Sequence, residues 1–143
     1  MCGISKRLRL DVSVNMLTYQ AWKNNLITVF GGTQVRPNIH ILDLCNAFLH
    51  FLNKKNYKYK NQIFNAGFEN LSIIDIAKKI QKLTNCEIKI KKSDDPRSYR
   101  LNSDKILNTG FVRKYSVDDA ILQLLSYFKK NNFKDIKELD WFD

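Results

Sequence analysis

Between residues 12 and 128 the apolar positions change period repeatedly. They pass from the 3–4 spacing of a helix to the continuous or alternating runs of a strand, and back. This alternation limits the fold most, because a helical pattern and a strand pattern bury different sets of residues. Val14, Leu17, Ala21 and Trp22 share one helical face, in a helix expected to start at Asp11. Residues 26–30 (LITVF) are β-rich and stop at Gly31-Gly32, a turn signal. Residues 35–41 surround Pro37 and read as a short extended piece. Asp43 is then expected to cap a helix burying Leu44, Ala47, Phe48, Phe51 and Leu52.

Residues 62–66 (QIFNA) read as a short buried strand. Ser72-Ile-Ile-Asp75 is a capping box opening a helix with Ile73, Ile76, Ala77, Ile80 and Leu83 inward. Residues 87–91 (EIKIK) alternate as a half-buried strand does. Ser103 is expected to cap a short helix that Gly110 ends. A second capping box, Ser116-Val-Asp-Asp119, opens a helix with Ile121, Leu124, Leu125 and Phe128 inward. The sum is an α/β chain of about five helices and a few short strands, too few for a complete doubly wound sheet.

The 143 residues suit one domain with its own core, since domains run about 100–200 residues. They are short for a two-domain, cofactor-dependent enzyme. No apolar run approaches the ~18 residues of a membrane span, and no apolar segment follows Lys6, Arg7 and Arg9 to make a signal peptide. The net charge of +10 favours anionic partners. It comes mostly from 18 scattered lysines in a chain with 15 asparagines, so solvated surface is the simpler reading of most of it. Cys2, Cys45 and Cys86 form no C-x-x-C and suit reduced thiols in a cytoplasm. His40 and His50, ten residues apart, lie on different helical faces and make a poor metal pair.

Three places invite a functional reading. Pro37 forces Arg36 into extended backbone, and a guanidinium so held suits a phosphate or diphosphate, or else a salt bridge to Asp43. Asn15 lies in the first turn of its helix, where an amide donates to an anion or merely caps. Residues 93–100 (SDDPRSYR) offer a carboxylate for sugar hydroxyls and a guanidinium for phosphate, or a turn of paired surface charges.

In order and spacing these pieces resemble one family, the extended short-chain dehydrogenase/reductases that act as NAD-dependent nucleotide-sugar epimerases and dehydratases. The matching signatures are Asp11-Val-Ser-Val-Asn15-Met-Leu-Thr, Ile27-Thr-Val-Phe-Gly-Gly, Arg36-Pro-Asn-Ile-His-Ile-Leu-Asp43, Ile63-Phe-Asn-Ala-Gly67, Asp95-Pro-Arg97-Ser-Tyr99, Asp104-Lys105-Ile106 and Gly110-Phe111. The resemblance covers about residues 2–129 and is to the C-terminal, substrate-binding half of a Rossmann-type enzyme. It implies a domain over 1–130, followed by a polar tail over 131–143.

It also implies substrate-binding roles. Asn15 and Arg36 would meet the diphosphate, Phe30 the base, with Thr28 beside it, and Asp95 the ribose. Arg97 would substitute for an arginine that the family has where Lys92 stands, and Arg7 and Arg9 would face the sugar end. His40, Cys45 and His50 are left as packing residues. The five glycines, at 3, 31, 32, 67 and 110, build no G-x-x-G-x-x-G dinucleotide loop. The family's Tyr-x-x-x-Lys pair is matched only by Tyr19 and Lys23. Roughly 0.8 chance matches of that spacing are expected here, and it falls on the substrate helix.

The resemblance therefore implies NAD for the complete enzyme, none bound by this chain alone, and no catalytic residue here. Its partners would be a nucleotide-diphosphate sugar and a separate NAD-binding chain or second copy. Two other readings stand beside it. One is a non-catalytic module for anions or nucleic acid, although no basic stripe with interleaved aromatics supports nucleic acid. The other is a scaffold subunit completing another chain's sheet, with aggregation-prone edges when alone.

Overall fold

The structure is a computed structural model and describes residues 1–131. Five α-helices and four short strands alternate in it, with one 3-10 turn over Lys54–Tyr59. The helices are α1 (Ser13–Asn24), α2 (Ile41–Leu52), α3 (Ile73–Thr84), α4 (Asp104–Leu107) and α5 (Val117–Asn131). The strands are β1 (Leu26–Phe30), β2 (Val35–Asn38), β3 (Glu69–Ser72) and β4 (Glu87–Lys91). The α/β architecture read from the sequence is the one observed. The tail over 131–143 lies, beyond Asn131, outside the described residues.

The strands form two separate pairs. β1 and β4 run parallel, with Leu26 opposite Glu87 and Phe30 opposite Lys91. β2 and β3 run antiparallel, with Arg36 opposite Leu71. Cys2 also bridges His40 in parallel. Its N–H donates to the Ile39 carbonyl and its carbonyl accepts from Ile41 N–H, both at 2.8 Å.

α1 packs on α3, α5 and β1. The main core there joins Val14, Leu17, Ile27, Val29, Ile76, Ile80 and Ile121, all buried. A neighbouring cluster places Tyr19, Leu124 and Phe128 against Leu8 and Leu10. A third gathers Ala47, Ile106 and Phe111, with Phe51, Phe64 and Phe68 packed around them.

Several local expectations are corrected. Val12, not Asp11, stands at the α1 N-cap, and no side chain bonds there. The Asp11 carboxylate instead takes the Arg9 guanidinium at 2.5 Å. The α2 N-cap is His40, whose Nδ1 accepts from Leu42 N–H at 3.2 Å. Asp43 lies inside that first turn, fully buried. Its carboxylate accepts the backbone N–H groups of Lys114 (3.1 and 3.2 Å) and Tyr115 (2.9 Å), so it stitches α2 to the segment before α5.

Residues 62–66 form no strand. The strand is β3, further along, while Phe64 and Ala66 turn into the aromatic cluster. Ser103 stands at the α4 N-cap, and its carbonyl accepts from Leu107 N–H at 3.3 Å, but its side chain makes no cap bond. Its buried hydroxyl donates to the Gly67 carbonyl and accepts from Gly67 N–H, while Asn102 Oδ1 accepts from Asp104 N–H. Phe48 and Leu52 on α2, Leu83 on α3 and Ile90 on β4 are exposed rather than buried. Both serines cap as read: Asp75 N–H donates to Ser72 Oγ and Asp119 N–H to Ser116 Oγ, each at 3.1 Å, and at the second the box closes with Ser116 N–H donating to Asp119 Oδ2 at 2.8 Å.

Candidate functional site

β1 and β4 both end at the same edge, and each runs on into a loop carrying charge. Beyond β1, Gly31 and Gly32 adopt positive φ (73° and 113°), and the chain returns as β2 with Arg36 on it. Beyond β4 the chain reaches Asp95 and Arg97. The loop over 93–99 is tied to β2 by two bonds: Val35 N–H donates to Ser98 Oγ (3.0 Å), and Tyr99 N–H to the Val35 carbonyl (3.2 Å).

This brings Arg36, Asp95 and Arg97 together. Arg36 Nη2 meets Asp95 Oδ2 at 3.3 Å, its Nη1 donates to the carbonyls of Val35 and Arg97, and its guanidinium lies 5.5 Å from the Tyr99 ring centroid. Arg97 grips the same carboxylate through Nε (2.8 Å) and Nη2 (2.9 Å) and is 77% exposed. These bonds, those from Arg97 foremost, hold the Asp95 carboxyl down at about 2. The cluster keeps one net positive charge. Arg36 retains an Nε–H and one Nη2–H beyond the bonds above, a fork free for an outside acceptor.

The salt bridge from Arg36 to Asp43 does not form, because Asp43 is buried on backbone N–H groups elsewhere. Phe30 stands at the end of β1, 54% exposed, with Lys91 Nζ 5.8 Å from its ring centroid. Thr28 lies on the same strand face, two residues back. Its N–H donates to Gln20 Oε1 at 3.0 Å.

Asn15 is buried and joins other partners. Its amide donates to the Gly3 carbonyl (3.2 Å) and the Arg9 carbonyl (2.8 Å), and its Oδ1 accepts from Gly3 N–H (3.0 Å). It clamps the loop before α1 beside a cleft of about 190 Å³, lined by Gly3, Ser5, Arg7, Arg9 and Ile41 among others. Sequence reasoning placed Tyr99 in the charged loop but not against Arg36, and it missed two contributors: Lys91 lies against Phe30, and Ser98 fixes the loop. Only strand register and loop docking bring these pairs together, so local spacing carried no signal for them.

No family model matches the chain. A UDP-glucose 4-epimerase from Mycoplasma genitalium is 39% identical over 88 residues, which cover 54% of this chain and 25% of that protein. The dTDP-glucose 4,6-dehydratase of Bacillus anthracis, solved with NAD, superposes with a TM-score of 0.74 at 18% identity, over 91% of this chain and 43% of its own. The chain has the fold of the extended short-chain dehydrogenase/reductases. A UDP-glucuronic acid 4-epimerase from Bacillus cereus, solved with UDP-glucuronic acid and NAD, shares it at a TM-score of 0.73 and 23% identity, again over 91% and 43%. The structural neighbours are thus NAD-dependent nucleotide-sugar epimerases and dehydratases, and the chain spans under half of their length and a quarter of the curated relative's.

In this dehydrogenase/reductase fold the Gly31-Gly32 turn does not fit a dinucleotide pyrophosphate. The Gly31-Gly32 turn joins a strand to a strand, not to a helix N-terminus. Its concavity is filled by Gln34: Gly32 N–H donates to Oε1 at 2.7 Å, and a Cβ on Gly31 would stand 2.5 Å from Nε2. Tyr19 belongs to the core instead, and Lys23 is exposed. The Tyr19 ring packs edge-on to Phe128, with Lys23 Nζ 5.8 Å from its centroid. Among the described residues no group of three His, Cys, Asp or Glu side chains can hold a metal ion. Among the described residues no helix is long and apolar enough to cross a membrane.

Proposed function

We propose that residues 1–130 are the nucleotide-sugar-binding portion of an NAD-dependent sugar epimerase or dehydratase. The supporting observation is the Arg36–Asp95–Arg97 cluster at the edge of a parallel strand pair that also presents Phe30. Ligands of open α/β sheets lie outside the carboxyl ends of the strands. In this reading Arg36 and Arg97 hold the diphosphate, Phe30 stacks on the base with Thr28 beside it, and Asp95 accepts from the ribose. Asn15 reaches the diphosphate only by giving up Gly3 or Arg9.

NAD and the acid/base pair come from polypeptide outside residues 1–130, so these residues alone are inactive. Its three free thiols suit a reducing cytoplasm. The test is thermal stabilisation by UDP, dTDP and ADP, against inorganic phosphate and single-stranded DNA. One nucleoside diphosphate should stabilise the chain saturably. Arg36→Ala should weaken it about 10–100-fold, for about 1.5–3 kcal/mol of charge-assisted bonding. Steeply salt-dependent binding without nucleotide preference overturns the reading in favour of a polyanion module. Product formed by the chain alone from NAD and a nucleotide sugar overturns its inactivity.

A further inference from the structure

The 3-10 turn after α2 builds a second concave surface, which shares no residue with the Arg36–Asp95–Arg97 cluster. Residues 54–60 (KKNYKYK) hold four lysines and two tyrosines, and the chain has no Asp or Glu from residue 44 to residue 68. Asn53 Oδ1 accepts from Lys55 N–H at 3.1 Å and starts the turn. At its end Asn61 takes a positive φ of 63°, and Gln62 N–H donates to the Tyr59 carbonyl at 3.3 Å. The chain thereby doubles back and brings Phe64 against both Phe51 and Tyr59. The Phe64 ring stacks on Phe51 with centroids 4.5 Å apart, and Tyr59 stands edge-on to the pair, at 6.2 Å from Phe51 and 6.0 Å from Phe64. These rings and Tyr57, itself 63% exposed, form the apolar part of a cleft of about 500 Å³. Asn61 and Gln62 form its polar part.

Cations surround the cleft. Lys58 Nζ lies 5.0 Å from the Tyr59 ring centroid. Lys105 Nζ lies 4.7 Å from that of Phe64 and donates to the Ile63 carbonyl at 3.0 Å. Asp104, beside Lys105 in the chain, takes the Asn102 amide. Lys55 precedes Lys58 by three residues and so shares its side of a 3-10 turn. Lys55, Lys58 and Lys60 are all exposed. Aromatic rings on which bases stack, with cations alongside for the phosphates, are what single-stranded nucleic acid requires. The two amides add donors and acceptors for a base edge. Spacing along the chain shows no such surface, because Phe51, Phe64 and Lys105 come from outside the lysine run. A free nucleotide is the weaker occupant. Lysines strung along an open turn are point charges that suit successive phosphodiesters, whereas a terminal phosphate is better served by a guanidinium fork such as that of Arg36.

We propose that the cleft formed by Phe51, Tyr57, Tyr59 and Phe64 binds single-stranded nucleic acid, with one base stacked inside it and the neighbouring phosphates on Lys58, Lys60 and Lys105. The proposal does not depend on the nucleotide-sugar reading.

The test is fluorescence anisotropy of a labelled oligo-uridine of about ten nucleotides, titrated with the full chain between about 50 and 200 mM salt. Binding should be saturable and should weaken as salt rises. Tyr57→Ala should weaken it about tenfold, and Tyr57→Phe, which keeps the ring, should not. Lys58→Gln combined with Lys60→Gln should reduce the slope of log affinity against log salt by about 1.4, for two lost phosphate contacts. These exposed positions should leave the melting temperature unchanged. An oligomer carrying 4-thiouridine should crosslink under near-ultraviolet light to a peptide from residues 51–64. An abasic oligomer of the same length that binds as tightly overturns the proposal, since charge alone then suffices. So does uridine monophosphate that binds as tightly as the oligomer, Tyr57→Ala that binds like the wild type, or an absence of saturable binding at the lowest salt. Arg36→Ala should retain oligomer binding, and its loss there places the strand on the other cluster and overturns the proposal. Failure of UDP, dTDP and ADP to stabilise the chain, with oligomer binding intact, counts against the nucleotide-sugar reading alone and supports the independence of this cleft.

Discussion

Asp95 shows how one side chain reports on the whole cluster. Its carboxyl is lowered from 3.8 to about 2, chiefly by the Arg97 bonds and then by charge from Arg97 and Arg36. A depressed folded-state value adds stability above the unfolded value, and that contribution is lost as pH falls from about 4 toward 2. Denaturant unfolding of the wild type and Asp95→Asn should therefore differ at pH 5–7 and converge near pH 2. Cys2 behaves in the opposite sense. Burial pushes its thiol up to about 12, so at pH 8 Ellman's reagent should titrate Cys45 quickly and Cys2 only after denaturant is added. Asp43 is the residue whose role the sequence misstates most. Read locally it is a helix cap or a partner for Arg36, but it is fully buried and accepts N–H groups some seventy positions away. Asp43→Ala leaves those donors unsatisfied and should cost about 1–3 kcal/mol or more in urea unfolding.

At the scale of elements, the two serine caps were fully legible, because Ser-x-x-Asp acts within one turn and needs no distant partner. Ser116 donates to Asp119 Oδ2 at 2.6 Å and accepts from Asp119 N–H, and Ser116→Ala should cost about 1 kcal/mol by denaturation. Ser103→Ala should be at least as costly, although its side chain makes no cap bond, because its hydroxyl serves both backbone groups of buried Gly67. A result in which Ser103→Ala is silent would place the short α4 turn outside the cooperative core. The strand at 62–66 was misread for a related reason. A short apolar run does not tell a strand from a loop that feeds aromatics into a cluster, and Phe51, stacked on Phe64 at 4.5 Å, claims that run from another element.

At the scale of the whole molecule, α1 holds the fold together by packing on α3, α5 and β1. Ile80→Ala, in the middle of that contact, should cost about 2–5 kcal/mol through the cavity it leaves. By contrast Leu49→Glu, at an exposed position of α2, should be silent. The sequence by itself determined the α/β class, five helices, most strand positions and the residue types at the candidate site. Periodicity, capping and turn signals act over a few residues and are written locally. The tertiary structure alone decided that Arg36 binds Asp95 rather than Asp43, that Tyr99 and Lys91 join Arg36 and Phe30, and that Asn15 clamps a loop. Those pairings depend on strand register and on contacts across tens of residues, where spacing along the chain carries no distance information. It also showed which face of α2 is left uncovered, since hydrophobic pattern marks a face as apolar but does not name what packs against it.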